Sequence, residues 1–220
     1  MERGVFVRGV LGTPLVAAML ASLPARPESA AKAPFGIATP EARRRSRFPN
    51  MALTTHEGKT VRFYDDLVQD KTVVIHFMYT SCTDSCPLTT ANLAQVQTAL
   101  APRVGRDLFL YSITVDPEHD TPGMLRTYAE RFDVKPGWLF LTGTKQDIRE
   151  LRRTFGDDPK GAFWQSDHLR LLAYGVEPLE RWGKCSAMLN PKWIARYVSW
   201  LDPKGERPSG TWPPGRGIPS

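Results

Sequence analysis

Hydrophobic and polar positions along this chain switch repeatedly between the strand and the helix period. From Thr72 to Tyr79 the run Thr-Val-Val-Ile-His-Phe-Met-Tyr is almost continuously apolar and of strand length, as expected where both faces of a parallel strand are covered. Leu108 to Val115 and Trp138 to Leu141 repeat that pattern, and Leu169 to Tyr174 supplies a further strand. Between them lie stripes at helical spacing. Leu88, Leu93, Val96 and Leu100 run up to Pro102; Met124, Leu125, Tyr128 and Phe132 form a second stripe, and Ile148, Leu151 and Phe155 a third. Thr121 before Pro122 reads as an N-cap with proline at the first helical position. Thr144 with Asp147 resembles a capping box, and Asn190-Pro191 starts a last helix with Trp193, Ile194, Tyr197 and Trp200 along its stripe. Upstream, Met51 to Thr54 and Gly58 to Phe63 read as a short hairpin with Glu57-Gly58 at its turn. The alternation predicts an α/β layered domain, a sheet flanked by helices, with an N-terminal β-hairpin.

The ends read differently. Met1 to Ala33 has the form of an export signal, with Arg3 and Arg8 before an apolar stretch from Val10 to Leu23 and small residues at Ser29-Ala30-Ala31. At about 14 residues the stretch is short for a membrane span, which needs about 20, although an uncleaved anchor is the competing reading. The expected organisation is a signal or short anchor over 1–31, a basic linker over 32–50, a domain over 51–203 and a Pro/Gly-rich tail over 204–220. Arg43-Arg44-Arg45-Ser46-Arg47 is read as a solvated part of that linker, with contact to anionic lipid as the alternative. The formal net charge of +6 belongs almost wholly to the first 50 residues, so a nucleic-acid groove has no support. An exported, periplasmic location or one on the outer face of the inner membrane follows.

Three cysteines are too few for a disulfide scaffold. Two of them, Cys82 and Cys86, follow the Thr72 to Tyr79 strand where a helix is about to begin. If Cys86 lies in the first helical turn, the spacing puts both sulfurs on one face, near enough to share a soft metal ion or to join as a disulfide. A helix N-terminus stabilises a thiolate, so both thiols are expected to be more acidic than an ordinary cysteine. Pro87 suits the first turn and cannot continue the strand.

The residues that surround this pair carry a resemblance. Phe77-Met-Tyr-Thr-Ser-Cys-Thr-Asp-Ser-Cys-Pro87, then Val115-Asp-Pro-Glu-His-Asp-Thr-Pro122, Leu141-Thr-Gly-Thr144 and Asp167-His168 together resemble the Sco/SenC family of copper-binding assembly proteins. The resemblance covers about residues 50–200. It implies a thioredoxin-like fold that binds one copper ion, as Cu(I) or Cu(II), through two cysteines and a distant histidine, which become Cys82, Cys86 and His168. It further implies a metallochaperone or thiol reductant for the dinuclear copper centre of cytochrome c oxidase subunit II or another copper-receiving protein, served in turn by a copper donor or thiol reductant and in many members tethered to the membrane. Two thiolates suit Cu(I), and an added imidazole also accommodates Cu(II).

The other histidines weigh less. His76 lies inside the apolar strand as a core residue, and His56 belongs to the hairpin. His119, in the loop after a strand, is a candidate for supporting the metal ligands from behind or for ligating transiently. Asp116 and Asp120 are candidates for ordering the loop or capping the helix, with Asp116 also a candidate support for a ligand and plain loop structure the alternative for Asp120; Asp84 either tunes the charge of the thiols or faces water. Cys185, the odd thiol, is expected to be buried and inert, with a role at the site as resolving cysteine or alternative ligand as the competing reading. The rival function is a copper-independent thiol:disulfide oxidoreductase or peroxiredoxin-like enzyme, which needs the two thiols and not His168. A module that binds a partner without copper or redox chemistry is the third.

Overall fold

The computed structural model describes residues 39–156 and 170–201. The expected signal segment, the tail and the pair Asp167-His168 lie outside those residues.

A seven-stranded mixed sheet forms the centre, in the order β2-β1-β5-β4-β3-β6-β7. The strands are β1 (Ala52–Thr55), β2 (Thr60–Arg62), β3 (Thr72–Met78), β4 (Leu108–Thr114), β5 (Trp138–Thr142), β6 (Leu171–Val176) and β7 (Arg181–Ser186). β3, β4 and β5 run parallel, Thr72 opposite Leu108 and Leu110 opposite Trp138, which requires the helical crossovers that the sequence supplies. All seven residues of β3 are buried, so the continuous apolar run reports a strand covered on both sides. The β1–β2 hairpin pairs Ala52 with Arg62, and Gly58 at its turn has φ of +85°, which an L-side chain rarely adopts. Before β5, Gly137 takes φ of +93° and lies so close to the backbone of Gly105 that a Cβ there would clash.

The helices are α1 (Pro40–Arg47), α2 (Ser85–Ala99), α3 (Pro122–Arg131), α4 (Lys145–Thr154) and α5 (Pro191–Leu201). α3 starts as its cap signals require, with the Thr121 hydroxyl accepting from the Met124 N–H at 3.3 Å. Thr144 caps α4 by accepting from the Asp147 N–H at 3.1 Å, while its hydroxyl donates to the Asp147 carboxylate at 2.7 Å.

Four features depart from the sequence expectations. The basic run read as a solvated linker is helix α1, capped by Thr39 and followed by Phe48, which is buried against Trp182 with ring centroids 4.6 Å apart. Its arginines are engaged: Arg44 lies 3.0 Å from Glu177, Arg45 2.8 Å from Asp65 and Arg43 3.3 Å from Glu180. Second, Arg181–Ser186 forms β7 although Arg-Trp-Gly-Lys-Cys-Ser has no clean alternation, because this edge strand is only half-buried. Third, α5 buries Ile194, Ala195 and Val198, whereas Trp193 and Trp200 are exposed, so its inner face is rotated away from the tryptophans. Fourth, Phe63, placed at the hairpin's end, instead opens a short π-helical turn, Phe63–Val68, that buries Phe63, Tyr64, Leu67 and Val68.

Candidate functional site

The cysteines sit where β3 ends and α2 begins, beyond the C-terminal edge of the parallel strands, the edge at which open α/β sheets place their ligands. Met78 closes β3; Tyr79 to Asp84 turn the chain; Cys86 is the second residue of α2, and both thiols are buried. The side chain of Asp84, immediately before the helix, makes no capping bond. The Cys82 sulfur instead accepts from the Cys86 backbone N–H at 3.4 Å, so one of the helix's unpaired donors is aimed at sulfur.

This arrangement separates the thiols chemically. Burial opposes the Cys82 anion, but hydrogen bonds from the Cys86 thiol, the N–H groups of Cys86 and Asp84 and the Tyr79 hydroxyl outweigh it and lower its pKa. Cys86 moves the other way, raised first by burial and then by its bond to the Cys82 sulfur. The expectation that both thiols would be acidic is therefore corrected: the helix end serves one anion, and the second sulfur, deeper in the core, keeps its proton. Tyr79 is pushed up to about 12 by burial and then by its hydrogen bond to Cys82.

The cysteine loop is held from below by Asp120, 1% exposed. Its carboxylate accepts from the Thr80 N–H at 3.0 Å, from the Thr80 hydroxyl and from the Thr114 hydroxyl at 2.5 Å. The end of β4, the loop after it and the turn before Cys82 are thus joined through one charged group. Of the readings open for Asp120 in the sequence, ordering a loop is the one the structure bears out, although the partner Thr80 lies 40 residues away from it. Tyr128 of α3 shares its hydroxyl with Thr90 at 3.2 Å, and Thr90 donates to the Cys86 carbonyl at 2.8 Å.

His119 and Asp116 are brought together, with Nδ1 to Oδ1 at 2.9 Å, and that bond raises the His119 pKa. The ring is largely exposed, and the described hydrogen bonds of Asp116 run to His119, Thr114 and Asp120, not to a thiol. His76 is fully buried in β3, and His56 Nδ1 accepts from the Phe140 N–H at 3.1 Å. Cys185, half-buried in β7, is pushed up to about 12 by burial, which suits an inert thiol. Asp84 faces solvent and lies 3.2 Å from Arg170. Among the described residues no group of three or more His, Cys, Asp or Glu could hold a metal ion, and His168 falls outside them.

The fold and this dithiol turn define a thioredoxin-like protein with a paired-cysteine site at the head of a helix. The model of the SCO1/SenC family matches residues 41–160, more than half of the chain, and the chain belongs to that family. The mitochondrial protein SCO1 homolog of Mus musculus is 35% identical over 105 residues, 47% of this chain and 36% of the mouse protein. The chain thus spans less than half the length of the curated relatives that it matches. Among solved structures, ScoI of Bradyrhizobium japonicum with copper bound aligns with a TM-score of 0.56 at 23% identity, over 70% of this chain and 100% of that one. BsSco, described as a member of the Sco family of cytochrome c oxidase assembly proteins, aligns with a TM-score of 0.59 at 23% identity, over 69% of this chain and 91% of that one. At these identities the two structures establish the fold.

Proposed function

We propose that this protein is an exported copper-binding assembly factor that carries one copper ion on Cys82 and Cys86 and serves the dinuclear copper centre of cytochrome c oxidase subunit II. The observation that carries the reading is the pair of buried, hydrogen-bonded thiols at the head of α2, in a chain of a family with copper-loaded members. The donor set fits the cargo. Two thiolates in a sheltered site favour Cu(I), and His168 is the third ligand that the family resemblance supplies. Cys82 offers a sulfur already stabilised as the anion, and Cys86 gives up its proton when it ligates. Tyr79 and the Cys86 N–H orient the first sulfur, and Asp120 fixes the loop on which it rides.

The same geometry favours a second reading, reduction of the client's cysteines. A low-pKa thiol beside a protonated partner is the arrangement of a thiol–disulfide exchanger: Cys82 attacks, and Cys86 resolves after losing its proton. The test is an anaerobic Cu(I) titration against a competing chelator, followed by native mass spectrometry. The wild-type chain should retain one tightly held copper that is lost in Cys82→Ser and in Cys86→Ser and weakened in His168→Ala. Absence of tight copper in the wild type would leave the reductant reading, and unchanged binding in His168→Ala would remove that ligand.

A further inference from the structure

Beside the cysteine turn runs a groove of about 520 Å³ that neither reading uses. One wall is Thr80 and Ser81, the two residues before Cys82, and the other is α3, with exposed Met124, Thr127 and Arg131 around the buried Tyr128. Its lining contains no carboxylate and a single charge, the Arg131 guanidinium, with which no carboxylate among the described residues pairs. Met124 presents an exposed apolar side chain. From Met124 to Arg131 is seven helical rises, about 10 Å, the reach of about three residues of extended chain.

We propose that this groove seats an extended acidic segment of the protein whose cysteine meets Cys82, with an acidic side chain three to four residues from that cysteine received by Arg131. The proposal rests on the reading that Cys82 exchanges a ligand or a disulfide with another protein. Two features single out this occupant: the groove is continuous with the cysteine turn through Ser81, and its sole charge is positive. Lining hydroxyls are neutral and discriminate little; the charge sets the preference and acts on the rate of encounter, so it weakens as salt rises.

The test uses the full chain with Cys86→Ser and Cys185→Ser, which leaves Cys82 as the one thiol of the three. Two synthetic peptides each carry one cysteine activated as a 2-pyridyl disulfide, with glutamates in one and lysines in the other at the third and fourth positions on either side. The Cys82 thiolate attacks the peptide sulfur; the peptide–pyridyl S–S bond breaks, the Cys82–peptide S–S bond forms, and the leaving group takes a solvent proton and is read as 2-thiopyridone. The glutamate peptide should react about tenfold faster than the lysine peptide at low salt. Adding Arg131→Glu should invert the order, while the rate with uncharged dipyridyl disulfide stays unchanged. Equal rates for the two peptides, no reaction with either, or a preference that Arg131→Glu leaves intact would overturn the groove. The copper titration reads separately: loss of copper with the peptide preference intact overturns the copper reading alone, and the reverse overturns the groove alone.

Discussion

At the scale of single residues, one proton distinguishes the two sulfurs of the site. Because the folded protein holds the Cys82 proton more weakly than the unfolded chain does, the stability contributed by that thiolate is present above the ordinary thiol pKa and is lost as pH falls through the folded value. In copper-free, reduced protein, alkylation followed by peptide mapping across pH should therefore label Cys82 first, at a pH where Cys86 is still protected. Tyr79→Phe should move the Cys82 profile to higher pH. Labelling of both at one pH would remove the asymmetry. Asp120 offers a stability test. Asp120→Ala leaves the Thr80 N–H and the Thr114 hydroxyl without their charged acceptor and should cost about 2–4 kcal/mol in denaturant unfolding. The placement of the thiols was legible in the sequence, because an apolar strand running into a proline-bearing helix start fixes the turn. Their opposite acidities were not, since they depend on how deeply each sulfur is buried. That Asp120 orders a loop was among the readings its motif allowed; its partner Thr80 was not legible, because it lies 40 residues away in the turn after β3.

At the scale of elements, α1 shows how a charged helix without buried residues can be fixed to a domain. Glu177, 1% exposed, accepts from the Tyr64 hydroxyl at 2.8 Å and the Asp70 N–H at 3.0 Å, and Arg44 completes the shell. Arg44→Met should destabilise the protein by about 2–4 kcal/mol, because it leaves a carboxylate buried with two donors and no cation. A double-mutant cycle with Glu177→Gln should show that the two changes couple; additive effects would mean that the Arg44–Glu177 pair does not hold α1. Here sequence reading was weakest. An arginine run in isolation looks like solvated chain, and only its carboxylate partners, more than a hundred residues away in the case of Glu177, make it a folded element. The strongly periodic parts were legible: β3, β4, β5, α3 and α4 lie where period and cap signals put them. β7 and the face of α5 were not, because a half-buried edge strand and a helix with aromatic residues on two sides carry no single period.

At the scale of the molecule, the mixed sheet gathers three chain segments at the C-terminal edge of its parallel strands: the cysteine turn after β3, the Asp-Pro loop after β4 and the groove face of α3. Loading should register globally. A ligand that binds only the folded chain stabilises it by mass action, by about 2.7 kcal/mol at a hundredfold excess over its dissociation constant. Cu(I) should raise the unfolding midpoint of the wild-type chain and leave that of Cys82→Ser unmoved. The most direct measurement of the central claim is X-ray absorption at the copper edge of the Cu(I)-loaded full chain. Two sulfur scatterers at copper, together with one nitrogen scatterer that disappears in His168→Ala, are the predicted result. Copper held by nitrogen and oxygen alone, or a two-sulfur signal that survives in Cys82→Ser, would contradict it.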